Sequence, residues 1–135
     1  MEKVVIEADK DRLDEVTDSI DEWLEEAGCP MRTRLQIRLA VEEIFVNIAS
    51  YAYPVTKGSV EIERCFLDGQ SGARIRLIDQ GIPFNPLEKE DADTSENALM
   101  EREGGLGILL VKKTMDHVFY ARENGRNILT VEKKW

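Results

Sequence analysis

The chain has 135 residues and a formal net charge of −9, and this length predicts a single domain over residues 1–135. The acidic balance argues against a nucleic-acid binder and against an anionic membrane surface, because both need a basic footprint on the protein. Its composition is ordinary for a cytoplasmic globular protein, with 42% hydrophobic residues and neither a membrane-spanning run nor a signal-peptide pattern.

The N-terminal half predicts one strand and two helices. Residues 4–8 form a short β-type run, and the acidic segment 9–11 can cap the helix that follows. Apolar residues recur over 12–27 as on one face of an amphipathic helix: Leu13, Val16, Ile20, Trp23, Leu24 and Ala27. The strongest helical pattern covers residues 31–53, and its buried stripe is Ile37, Val41, Ile44 and Ile48.

The C-terminal half predicts two hairpins around a polar segment and a third helix. Residues 60–66 and 73–78 alternate as antiparallel strands do, and residues 118–121 and 128–131 repeat this pattern around an Asn-Gly turn. The acidic stretch 83–103 is interpreted as a loop that is functional or disordered. A helix over 105–115 is expected to bury Leu106, Leu109, Leu110 and the stem of Lys113.

This element order predicts an α+β fold. It is a two-layer α/β sandwich, with helices on one face of a mixed, mostly antiparallel sheet. Cys29 and Cys65 lie far apart and are interpreted as reduced, partly buried thiols. With His117 as the single histidine, the sequence argues against a zinc site.

The long helix carries a polar pair that could do chemistry. Glu43 and Asn47 are four residues apart, so they share one helix face beside the apolar stripe. A carboxylate can act as a general base, and an asparagine carbonyl is a hard oxygen ligand suited to Mg²⁺. A solvated glutamate beside a surface asparagine explains the pair equally simply, and the helix alone favours that explanation.

A second polar feature follows the strand at 73–78. Asp79 at its end could accept a hydrogen bond from an amino group of a ligand. Gly81 would let the backbone approach closely, because glycine has no Cβ. A plain turn explains these two residues as well, since Asp and Gly are the usual turn residues.

The third feature is a glycine-rich start to the third helix. Gly104, Gly105 and Gly107 each cost roughly 1 kcal/mol in a helix relative to alanine. Free N–H groups and the positive end of the helix dipole predict a phosphate site there. The loop is not a Walker A motif, because no Gly-Lys-Ser/Thr follows, and it is not a Rossmann fingerprint. A flexible, glycine-rich cap is the structural alternative.

In order and spacing, the three features resemble the GHKL or Bergerat-fold ATPase superfamily of gyrase, heat-shock chaperone, histidine-kinase and MutL type. The resemblance covers nearly the whole chain and looks closest to the stand-alone anti-sigma-factor serine/threonine kinases. Glu43 and Asn47 stand in the N box, and residues 51–54 match its aromatic end. Residues 79–86 match the first glycine box and its continuation, and residues 105–107 match the second.

The resemblance implies a role for each motif residue. Glu43 would be the general base that takes the proton from a serine hydroxyl or water, and Asn47 would hold Mg²⁺ on the ATP phosphates. Asp79 would bond the adenine amino group, with the base against Gly81. Residues 83–103 would form the ATP lid. The phosphate contacts would come from Gly105, Leu106 and Gly107, with Arg102 as a candidate γ-phosphate contact.

Two positions depart from the family pattern. Pro83 stands where sensor histidine kinases have a second glycine, which moves the match away from that group. Asn127 falls where relatives often carry a threonine near the adenine, so we do not carry that contact over. His117 has no phospho-acceptor context, and a complete sensor kinase would need such a histidine.

The implied function is an ATP-dependent protein serine/threonine kinase that acts as an anti-sigma factor. It would phosphorylate a small anti-sigma-factor antagonist, regulate transcription in the cytoplasm, and form a homodimer. ATP, ADP, Mg²⁺, the sigma factor and the antagonist are its implied ligands and partners. Two alternatives stay open: a nucleotide-binding regulatory module that controls a protein partner without phosphoryl transfer, and a degenerate domain that binds no nucleotide.

Overall fold

The computed structural model describes residues 2–88 and 105–135. Within these ranges one sheet has the strand order β1-β2-β3-β5-β4, and three α-helices accompany it. The strands are β1 Glu2–Glu7, β2 Ser59–Phe66, β3 Gly72–Asp79, β4 His117–Glu123 and β5 Arg126–Lys134. The helices are α1 Leu13–Glu26, α2 Met31–Asn47 and α3 Gly105–Thr114.

Each described strand pair is antiparallel. The expected sheet was mixed, and the described part has no parallel pair. Two adjacent pairs, β2–β3 and β4–β5, are hairpins, and β1 reaches β2 through α1 and α2. The adjacent strands β3 and β5 are not consecutive in the chain, since α3 and β4 come between them. The closing hairpin turns at Asn124 and Gly125, whose φ angles of 52° and 74° are those of the Asn-Gly turn that the sequence predicts.

The two faces of the sheet differ in chemistry. The helix-facing side carries the buried apolar residues of alternate strand positions, such as Ile62, Leu77 and Leu129, which lie side by side in register. The other face carries cross-strand ion pairs, among them Arg74 with Glu132 at 2.7 Å. This division follows the period-two alternation of the strands, and it forms the predicted two-layer arrangement.

The predicted long helix is α-helical only as far as Asn47. The chain then continues through one π-helical turn, Ile48–Ala52, before it leaves the helix at Tyr53. All four residues of the predicted stripe, Ile37, Val41, Ile44 and Ile48, are buried. Single π turns are common near functional sites. Here the π turn directly follows Asn47 and includes Tyr51, the first residue of the aromatic end of the helix.

The buried face of α3 differs from the expectation. Ile108, Val111 and Met115 are buried, whereas Leu110 is 53% exposed and Lys113 is exposed. The helix has apolar residues on several sides, so its periodicity alone does not define the inward face. Its rotation is instead set by Gly107, which packs directly against α2. None of the described helices is long and apolar enough to cross a membrane.

Candidate functional site

The carboxylate of Asp79 is at the last position of β3 and is only 4% exposed. Its Oδ1 accepts hydrogen bonds from the backbone N–H of Gly81, at 2.9 Å, and from Nδ2 of Asn127, also at 2.9 Å. The other carboxylate oxygen makes no hydrogen bond to a described residue. Asp79 therefore has one oxygen held by the protein and one acceptor remaining.

Asn127 is part of this site, although we did not carry an adenine contact over to it from the family pattern. It is directly opposite Asp79 in the β3–β5 register and is 4% exposed. A signal did exist in the sequence. Alternation along β5 puts Asn127 on the same face as the apolar Leu129 and Val131, where an amide needs a polar partner.

Gly81 has a packing role that the sequence did not reveal. A Cβ at this position would overlap the carbonyl oxygen of Ala52, at the end of the π turn. The next residue, Ile82, donates its backbone N–H to that same oxygen at 2.9 Å. Gly81 thus allows the turn after β3 to join the end of α2. Arg122 on β4 adds a bond from its Nη1 to the Gly81 carbonyl at 2.9 Å.

Tyr53 connects the start of β2 to the turn that follows β3. Its hydroxyl donates to the carbonyl of Ser59 at 2.7 Å and accepts from the backbone N–H of Gln80 at 2.9 Å. Gly58 leaves room for the ring, because a Cβ there would overlap it. Burial raises the pKa of Tyr53, and the charge of Asp79 acts in the same direction. The aromatic end of α2 therefore helps to hold the turn that follows Asp79.

Asn47 lines a small cavity together with Asp79. It is 6% exposed, so it is not the surface asparagine of the simpler explanation. Its amide makes no hydrogen bond to a described residue. The enclosed space is about 20 Å³, which is room for a single water molecule. The other lining residues are Ile44, Ile48, Ala52, Phe84, Pro86, Tyr120, Asn127 and Leu129.

Glu43 and Gly107 meet where α2 and α3 pack together. A Cβ on Gly107 would overlap the carboxyl carbon and both oxygens of Glu43, so the acid occupies the space that glycine leaves. Gly107 lies in the first turn of α3 with Gly105 and Leu106. The N–H groups of a first helical turn have no partner within the helix, and they suit an anion.

The structure thus brings most of the predicted site residues together. Glu43 contacts the start of α3. One helical turn further along α2, Asn47 lines a cavity together with Asp79 of β3. Arg102, Gly104 and most of the predicted lid lie outside the described residues. The side chain of Leu106 also lies outside the described residues. The roles predicted for Arg102, Gly104, Leu106 and the lid therefore stay predictions.

Comparison with known proteins identifies the family. The model of the histidine kinase-like ATPase domain matches residues 6–133, which is nearly the entire chain. The chain belongs to this family. As a histidine kinase-like ATPase domain it is of ATP-binding type, and the predicted superfamily resemblance is confirmed.

The curated relatives that match this ATPase domain carry the name of one serine-protein kinase. The serine-protein kinase RsbW of Staphylococcus epidermidis is 29% identical over 99 residues, which is 70% of this chain and 62% of that protein. The same protein in two named strains of that species matches equally. The chain therefore spans about three fifths of the length of the relatives that it matches.

A solved structure supports the fold of the ATPase domain. The histidine kinase domain of the blue-light activated histidine kinase from Erythrobacter litoralis EL346 has a TM-score of 0.60 to it. The likeness covers 96% of this chain and 61% of that chain, at 19% sequence identity. At this identity the likeness shows the fold alone, and it confirms the predicted α+β architecture.

Proposed function

We propose that this chain is an ATP-dependent protein serine/threonine kinase that acts as an anti-sigma factor. The observation that carries the proposal is the contact between Glu43 and Gly107. It puts a carboxylate beside the helix turn that suits phosphate groups, so a base and an anion site are neighbours. The serine-protein kinase name of the matched relatives supports this choice among the activities of the family.

The adenine end of the nucleotide is assigned to Asp79. Its unbonded oxygen is an acceptor in a cavity with apolar walls, which suits an exocyclic amino group on a flat base. Because that cavity holds about one water molecule, entry of a purine needs movement of its lining. Phe84 and Pro86 belong to the irregular segment after β3, and we propose that this segment moves. It is the start of the proposed lid over 83–103.

Magnesium fits the amide of Asn47. The side chain lines the site and has no hydrogen bond to a described residue, so its carbonyl oxygen is available to a hard cation. Bound there, Mg²⁺ would offset the charge of the phosphates. This matters in a chain of net charge −9 whose glycine loop has no P-loop lysine. The backbone N–H groups of Gly105, Leu106 and Gly107 would hold the phosphate oxygens, and Arg102 is kept as a proposed γ-phosphate contact.

The proposed chemical step uses Glu43 as the general base. The carboxylate takes the proton of a serine or threonine hydroxyl on the protein substrate. The hydroxyl oxygen then bonds to the γ-phosphorus while the bond to the β-phosphate oxygen breaks, which releases ADP. The proposed substrate is a small anti-sigma-factor antagonist, and the sigma factor is the partner held inactive. A homodimer is proposed from the family resemblance.

The test is phosphoryl transfer to a candidate anti-sigma-factor antagonist domain. Wild type with Mg-ATP should yield phosphoserine or phosphothreonine, detected by mass spectrometry of the antagonist. Glu43→Gln should abolish transfer while it retains ATP binding. Glu42→Gln is the matched control, because it removes a carboxylate from the neighbouring position of the same helix and should leave transfer intact.

The outcomes separate the candidate functions. Transfer that persists in Glu43→Gln contradicts the role of Glu43. ATP binding by wild type without transfer to any antagonist favours a regulatory module that uses the nucleotide only as a switch. Failure of wild type to bind ATP in an equilibrium titration contradicts both.

A further inference from the structure

The hydrogen-bonding capacity of Asn127 is completely used. Its Nδ2 donates to Asp79 Oδ1 at 2.9 Å and to the carbonyl of Ile82 at 2.8 Å. Its Oδ1 accepts from the hydroxyl of Tyr120 and from the backbone N–H of Phe84, the latter at 3.4 Å. Each end of the amide thus meets two groups of the opposite kind, and a side-chain amide has no further capacity.

These contacts define the orientation of the amide. If the amide were flipped, its oxygen would face two other acceptors, Asp79 Oδ1 and the Ile82 carbonyl. Its NH₂ group would then face the backbone N–H of Phe84, which only donates, and the hydroxyl of Tyr120, which would have to turn and accept. Because both ends would be mismatched within a buried site, the flipped state is strongly disfavoured. The groups that can only donate or only accept, namely Asp79, the Ile82 carbonyl and the Phe84 N–H, decide this orientation. Tyr120 contributes the shorter of the two bonds to Oδ1, so it restrains the position of the oriented amide.

The fixed amide also determines what Asp79 offers to a ligand. Nδ2 of Asn127 and the N–H of Gly81 both donate to Oδ1, which leaves the second carboxylate oxygen directed at the cavity. An ionised carboxylate is acceptor-only. Its remaining oxygen can bond to an amino group in the cavity, whereas it repels a carbonyl oxygen in the same place.

We propose that Tyr120 and Asn127 are a positioning pair that makes Asp79 select a purine with an amino group over one with a carbonyl at the same ring position. The pair lines the same cavity, and it acts on base choice through Asp79, because the amide of Asn127 has no hydrogen-bonding capacity left for the base. This inference depends on the proposed nucleotide-binding function and adds to it the residues that set base preference. Without the pair, the carboxylate of Asp79 can rotate, and its remaining oxygen is no longer held where it meets the amino group of the base.

The experiment compares binding of Mg-ATP and Mg-ITP, which differ by an amino group against a carbonyl at one ring position. Wild type should prefer ATP. Tyr120→Phe should reduce the ratio of the two dissociation constants by about fivefold, the scale of one neutral hydrogen bond. Asn127→Leu should reduce it by about tenfold or more, because a bond to a charged group is lost. Thermal unfolding of each variant is measured in parallel.

Thr130→Val is the matched control. It removes another buried polar group from β5, on the face of the sheet away from Asp79, and should leave the ratio unchanged. If Tyr120→Phe folds and weakens ATP and ITP binding equally, its role is only structural and the inference is overturned. Equal affinity of wild type for ATP and ITP overturns the inference but leaves the kinase proposal standing. If wild type binds neither nucleotide, the proposed function itself is wrong and the inference is wrong with it.

Discussion

The carboxylate of Glu43 on α2 lies directly against the backbone of Gly107 in the first turn of α3. One glycine of the loop therefore has a packing role against the acid that faces it, quite apart from any phosphate. The contact also explains the rotation of α3, since Val111 and Met115 follow Gly107 on the same face and are buried. The acid of one motif and the glycine of another thus form one packed unit.

Gly107→Ala is predicted to displace the carboxylate of Glu43, at a cost in stability that is limited because this carboxylate is the movable end of a flexible side chain. Alanine at a helical position is normally favoured over glycine by roughly 1 kcal/mol. Whether Gly107→Ala stabilises or destabilises the protein therefore depends on how much the overlap between the new Cβ and the Glu43 carboxylate costs. In a Glu43→Ala background the clash is gone, and Gly107→Ala should then stabilise. Urea unfolding of the four proteins in this double-mutant cycle measures the difference. Leu110→Ala, an exposed site on the same helix, is the control, and a Gly107→Ala effect that is equal in both backgrounds would contradict the clash.

Gly81→Ala is predicted to be severely destabilising because the conflict is with backbone. The added Cβ would overlap the carbonyl oxygen of Ala52, and that oxygen also accepts from Ile82. Relief would require separation of the π turn from the segment after β3. We expect a loss on the order of 2 kcal/mol or more in chemical unfolding. Ala52→Gly should fail to rescue the variant, since it removes only a methyl group, and a full rescue would show that side-chain contact is the cause.

Tyr53→Phe is predicted to alter the alkaline limit of stability. Burial raises the folded-state pKa of Tyr53 above its ordinary value of about 10. The stability contributed by its neutral hydroxyl is fully present below about pH 10 and is lost as pH rises through the folded-state pKa. Wild type should therefore lose more stability than Tyr53→Phe above pH 10, as measured by unfolding across the alkaline range. Parallel pH profiles for the two proteins would exclude this contribution.

Tyr53→Phe should also lower stability at neutral pH. The variant loses the bonds to Ser59 and Gln80, each worth about 0.5–1.5 kcal/mol. Both bonds end on backbone groups that flank the site, so ATP affinity should fall along with stability. A variant that loses stability but binds ATP as wild type does would show that Tyr53 does not position the site.

Asn47→Ala is predicted to remove most of the magnesium dependence of ATP binding. Wild type should bind ATP more tightly with Mg²⁺ than with a chelator present, because the cation joins Asn47 to the phosphates. In the variant the two affinities should converge. Gln36→Ala, on the same helix but away from the cavity, provides the comparison. An undiminished effect of Mg²⁺ in Asn47→Ala would assign the cation to other ligands.

The sequence by itself determined the order and type of the helices and strands, because each depends on local periodicity. It also brought out the motif residues Glu43, Asn47, Asp79 and Gly107, because their order and spacing together resemble those of a known ATPase superfamily. The buried face of α1 was readable from its apolar periodicity. The predicted stripe of α2 is buried as well, although α2 also carries an exposed apolar row at Met31, Leu35 and Leu39.

Tertiary structure decided how those residues meet. Asp79 and Asn127 are neighbours only because β5 inserts between β3 and β4, and strand order is a non-local property that alternation cannot reveal. The rotation of α3 was not readable either, because a helix that is apolar on several sides fits several faces inward until Gly107 meets Glu43. Local sequence patterns predict which polar groups and glycines each helix or strand carries. Close packing between segments that are distant in the chain decides which of these groups contact one another.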